Sequence, residues 1–138
     1  GDGVGASQLT LSEMKAIVDE AHRADRKVAA HAHGTEGIRD AVLAGVNSIE
    51  HGSILDARIV AAMKARGTFL VPTLTVGEYV DQAGKSGMLS PSSAQKAAFV
   101  APKMRASFQM AHKAGVPIAL GTDAGVFEHG KNAREFEL

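Results

Sequence analysis

The chain of 138 residues contains no cysteine, which excludes disulfide, zinc-ribbon and thiol-nucleophile chemistry while leaving its compartment, cytoplasmic or periplasmic, open. It has no surplus of either charge. Fifteen Lys and Arg balance fifteen Asp and Glu, and no basic run occurs. That balance argues against nucleic acid or an anionic membrane surface as partner. No apolar stretch approaches the roughly 20 residues of a membrane-spanning helix, and no signal-peptide pattern opens the chain. Neither GxGxxG nor GxxxxGKS/T stands between a strand and a helix. The opening Gly1-Asp2-Gly3-Val4-Gly5 resembles such a loop, but no strand precedes it. The length suits one domain at most. The first residue is not Met, and the last ones read as the start of a helix. Both ends therefore read as cut, and residues 1–138 are expected to be a single partial domain.

What is present alternates between two kinds of signal. Thr10-Leu11-Ser12-Glu13 has capping-box spacing, and Met14, Ile17, Val18, Ala21 and Ala24 follow on one helical face up to about Asp25. Residues 27–30 read as a buried strand running into His31-Ala32-His33-Gly34. A helix over about 36–44 buries Ile38, Ala41 and Val42 and stops at Gly45. Residues 46–50 form the next expected strand, ending at His51-Gly52. Asp56 caps a third helix with Ile59, Val60 and Met63 inward and Gly67 at its end, and residues 68–71 make a third strand. Residues 74–90 read as a long connection with one weak helical turn near 78–82. Ser90-Pro91 starts a helix toward Ala114 that Pro102 is expected to kink or split. Residues 116–120 form a fourth strand leading into Gly121-Thr122-Asp123-Ala124-Gly125. This alternation predicts an α/β fold of βα units around a parallel sheet.

An internal register sharpens the reading. Six residues beyond the helix-ending turns at Asp25, Gly45, Gly67 and Gly115 stand His31, His51, Thr73 and Gly121. Eight beyond the first and last stand His33 and Asp123. Ligand-type residues thus collect at the C-terminal edge of the sheet, where parallel α/β folds build sites. A lone strand-end histidine reads as a residue bonded to loop backbone. Several of them beside Asp123 read as a site for zinc or another divalent first-row metal, since neutral imidazole and carboxylate are its donors. His22 and His112 sit at helix ends, where an imidazolium complements the helix dipole, and read as structural. A non-catalytic α/β module with a strand-end Asp is the competing reading.

The segments KVAAHAHGTEGIRDAVLAGVNSIEHGS, TFLVPTL and VPIALGTDAGVFEHGKNAREFEL, in this order, resemble the amidohydrolase superfamily. The branch they resemble holds Xaa-Pro dipeptidases and zinc-dependent arginine carboxypeptidases, with imidazolonepropionase more distant. The likeness covers the chain from about Thr10 onward. It implies a TIM-like (β/α)8 barrel, which needs roughly 200 residues or more, so the chain would be a half-barrel carrying strands five to eight. It also implies that His31 and His51 are the fifth- and sixth-strand metal ligands, and that Asp123 is the eighth-strand ligand and general base. The first-strand HxH pair and the fourth-strand carboxylated Lys of that family have no counterpart here. Gly1 would begin just after that Lys.

His31-Ala32-His33 looks like the first-strand pair, but the helix after it and the register place it on the fifth strand. The resemblance gives His33 a contact to the substrate carboxylate or oxyanion, and makes His129, Glu78 and Tyr79 pocket-shaping residues. The implied activity is hydrolysis of an amide C–N bond, in a dipeptide or at a peptide C-terminus, by metal-activated hydroxide. Zinc is the implied ion, with Mn, Co or Fe as alternatives. A cyclic amide or imidazolone substrate, or an inactive metal-binding or assembly fragment, are the other readings. Alone, the chain is expected to self-associate or to pair with a missing N-terminal half, and to have little or no peptidase activity.

Overall fold

Thr10 opens the first helix as its sequence requires. Its hydroxyl accepts from the Glu13 amide while the Glu13 carboxylate accepts from the Thr10 amide, a complete capping box on α1 (Leu11–Arg23). The computed structural model describes residues 5–138, so the glycine-rich stretch Gly1 to Val4 lies outside the described residues. After α1 come β1 (Ala29–Ala32), α2 (Thr35–Ala44), β2 (Ser48–His51), α3 (Ala57–Arg66) and β3 (Phe69–Val71). Two more helices follow, α4 (Leu74–Lys85) and α5 (Pro91–Ala114), then a 3-10 helix over Asn132–Glu137. The three strands form one parallel sheet in the order β1-β2-β3.

The helix ends are set by the residues expected to set them. Asp56 accepts from the Ile59 amide to start α3, and Ser90 accepts from the Ser93 amide to start α5. Gly45 and Gly67 end α2 and α3 in the left-handed region, where a Cβ would be strained. The core joins Ile38, Ala41 and Val42 of α2, Ile59, Val60 and Met63 of α3, and Ile49 and Leu70 of the sheet. Ala111 and Val116 close it from the end of α5. Of the expected α1 face, Val18 is buried while Ile17 is half exposed.

Three expectations need correction. Residues 74–90 are not a long loop, because Leu74–Lys85 is a helix of three turns. Pro102 does not split α5, which runs unbroken over 24 residues with Val100, Met104, Ser107 and Ala111 buried along it. The fourth strand is reduced to one bridge, Leu70 with Ile118, made by the Leu70 amide to the Pro117 carbonyl and the Ala119 amide to the Leu70 carbonyl. Pairing cannot extend because Pro117 brings no donor, and β3 ends at Val71, before Pro72 and the turn into α4. Among the described residues no helix is long and apolar enough to cross a membrane.

Candidate metal centre

The sheet register pairs Ala32 with His51 and His31 with Glu50. Strand alternation alone would therefore send the His31 and His51 side chains to opposite faces. His51 escapes the alternation through its backbone. Its φ of 71° is left-handed, and its imidazole reaches His31, with Nε2 2.9 Å from His31 Nδ1. His33, the residue directly after β1, completes the group. Its ring stacks on His51 at 4.8 Å and meets His31 edge-on at 4.7 Å. One ring nitrogen from each of His31, His33 and His51 lies within 4.8 Å of the others.

Each of two imidazoles is held by a hydroxyl on its other side. His51 Nδ1 lies 2.7 Å from Thr73 Oγ1, and His33 Nδ1 lies 2.7 Å from Ser53 Oγ. Ser53 is fully buried and its carbonyl accepts from Ser107 Oγ, which itself accepts from the Leu55 amide. Helix α5 thus grips the β2–α3 loop that carries the His33 partner.

Burial drives the protonation balance. It pushes the His33 imidazole down to about 4, helped by the neighbouring His51 and His31, while the Asp123 carboxylate pulls the other way. His51 is lowered for the same reasons in the same order, burial first and His31 second, again opposed by Asp123. Neutral imidazoles gathered in this way are what a divalent first-row metal takes as ligands. The three side chains could hold such an ion.

Of the other residues singled out in the sequence, Asp123 stands exposed after the fourth-strand bridge, at φ 53°, close enough for its charge to act on His33 and His51. His129 is exposed on the turn that follows. Tyr79 and Glu78 lie on α4 rather than on a loop. Tyr79 sits 6.3 Å from the Phe127 ring, and Glu78 is paired with Arg134 and Arg105. His22 is bonded to Asn47 at 3.0 Å, and His112 stacks on Phe108. Sequence reasoning assigned no role to Thr73, Ser53 or Ser107. Thr73 alone carried a signal, its place in the strand-end register.

An amidohydrolase family model matches residues 4–137. Ochratoxinase of Aspergillus niger is 40% identical over 122 residues, covering 88% of this chain and 25% of that protein. Its crystal structure superposes with a TM-score of 0.86 at 38% identity, over 99% of this chain and 30% of that one. The structure of a Xaa-Pro dipeptidase with methionine bound in its active site superposes with a TM-score of 0.92 at 42% identity, over 96% and 33%. A prolidase complexed with N-methylphosphonate-L-proline gives 0.81 at 37%, over 88% and 30%. The chain thus spans a quarter to a third of the length of these relatives. Its parallel α/β architecture matches part of a TIM-barrel amidohydrolase. With the family pattern running through nearly every described residue and the histidines gathered at the strand ends, the chain belongs to the amidohydrolase family.

Proposed function

We propose that this chain carries half of the metal ligands of a metal-dependent hydrolase, as barrel strands five to eight, and that the whole enzyme cleaves an amide C–N bond in a dipeptide or at a peptide C-terminus. The observation that carries the reading is the meeting of His31 Nδ1 and His51 Nε2 at 2.9 Å, at the C-terminal ends of adjacent parallel strands. The dipeptidase and prolidase among the similar structures support the substrate class. His31, His51 and Asp123 hold the ion, for which zinc is proposed and Mn, Co or Fe are accepted by the same donors. When bound, such an ion supplies a Lewis acid that polarises the substrate carbonyl and acidifies water.

Asp123 is exposed to the solvent side of the site, where it accepts the proton of the attacking water and returns it to the leaving amine. His33, neutral at pH 7 and fastened by Ser53, offers its other ring nitrogen to the substrate carboxylate or the developing oxyanion. Tyr79 and His129 shape the pocket from α4 and from the turn after Asp123. The partner of the chain is the remainder of the barrel, or a second copy standing in for it.

Elemental analysis of the purified protein tests this first. Zinc near one per chain, lost in His31→Ala and in His51→Ala, is the expected result, followed by dipeptide hydrolysis once an N-terminal half is supplied. Wild type holding no more metal than the two variants would sink it.

A further inference from the structure

Three helices here are capped in the ordinary way, by an oxygen of their own N-cap residue: Thr10 for α1, Asp56 for α3 and Ser90 for α5. Helix α4 also begins with a residue suited to that task, Thr73, yet its side chain makes no cap bond. Its backbone is left-handed instead, at φ 48° and ψ 47°, a conformation a β-branched residue takes at a cost. The hydroxyl released from capping is the one that lies 2.7 Å from His51 Nδ1.

The vacated cap is filled from elsewhere in the chain. The Glu135 carboxylate, only 8% exposed, accepts from the Leu74 amide at 2.7 Å, the Thr75 amide at 2.9 Å and the Thr75 hydroxyl at 2.7 Å. A carboxylate at a helix N-terminus is also favoured by the helix dipole. Thr73 can therefore stay turned toward the histidines without leaving the first amides of α4 unpaired.

We propose that Thr73 and Glu135 act together as positioning residues for His51: Glu135 takes over the cap of α4, and Thr73, freed from it, accepts from His51 Nδ1–H and so leaves Nε2 bare beside His31 Nδ1. Orientation of a ligand imidazole by a bond to its other nitrogen is a general device of metal sites. The use made of the bare Nε2 rests on the metal-site reading above; the tautomer itself does not.

The test reads the two separately. In the metal-free, 15N-labelled protein at about pH 8, above the ordinary imidazole range, long-range 1H–15N spectra report which His51 nitrogen carries the proton. Wild type and Thr73→Ser are expected to show Nδ1 protonated, while Thr73→Ala and Glu135→Gln shift toward the other tautomer. Serine and alanine relieve the β-branch alike, so their difference isolates the hydroxyl. Zinc titration should then give a Kd raised roughly 10- to 100-fold in Thr73→Ala, close to wild type in Thr73→Ser, and raised in Glu135→Gln. An unchanged His51 tautomer in a folded Thr73→Ala overturns the proposal. If that variant fails to fold by circular dichroism, an unchanged tautomer in Glu135→Gln overturns it instead. Wild type that shows the tautomer but binds no zinc leaves the positioning intact and defeats the metal-site reading.

Discussion

An imidazole walled in by two others meets a double obstacle to protonation, since it loses water and gains positive neighbours. His33 and His51 both have their folded-state proton affinity lowered below the unfolded value, so unfolding takes up protons. The stability they lend is full above about pH 6.5, the unfolded imidazole value, and drains away as pH falls through the His33 value of about 4. Thermal melts of the metal-free protein should therefore show Tm dropping between pH 7 and 4, with a shallower drop in His33→Gln. Ser53→Ala strips the hydroxyl from His33 Nδ1 in a buried place and should cost roughly 1–3 kcal/mol in urea unfolding. At this scale the sequence was legible where ligand types recur at a fixed offset, as with His31 and His51. It marked the place of Thr73 at a strand end but was silent on its bond to His51 Nδ1. It was equally silent on the left-handed backbone shared by His51, Thr73 and Asp123, which no neighbouring residue announces.

Helix α4 shows why an element can hide. It contains Gly77, Gly84, Thr75, Val76 and Val80, all weak helix formers, and it has no cap of its own. What holds it lies outside its own residues. Leu74 packs with Val100 and Met104, and the two glycines let α5 approach closely, a Cβ at Gly77 falling 3.1 Å from Met104 Sδ and one at Gly84 3.3 Å from Ala94 Cα. Those glycines read as breakers in one dimension and are contacts in three. Pro102 misleads in the opposite direction, because burial of side chains on both sides of it holds α5 in one piece. The capped helices α1, α3 and α5 were legible because their signals are local. For α5, Ser107 also anchors the loop after β2, satisfying the Leu55 amide and the Ser53 carbonyl. Ser107→Ala leaves both without that partner and should destabilise by about 2 kcal/mol in urea or thermal unfolding, with the His33 resonances shifting in the same variant.

All-parallel sheets are normally covered on both faces. Here the helices cover the face of Ile49 and Leu70, while Phe69 on the other face is 46% exposed and Ser48 and Glu50 are half-buried beside it. Next to β1, a cavity of about 600 Å³ runs past Met14, Val18, Val28 and Ala30 to His31 and His33. The open edge beside β1 and the exposed Phe69 favour association. In sedimentation the chain should run as a dimer or larger, or form a complex with an added N-terminal half; a well-folded monomer indifferent to that half would contradict this. The fold class was readable from the alternation of helix and strand signals, whereas closure of the site was not, because it depends on contacts across long stretches of chain. The Glu135 clamp on α4 spans 60 residues. On the ribosome, the sheet and its first helices can assemble before that carboxylate has been made. A nascent chain thus displays its three imidazoles, and Thr73 beside them, before the carboxylate that caps α4 exists.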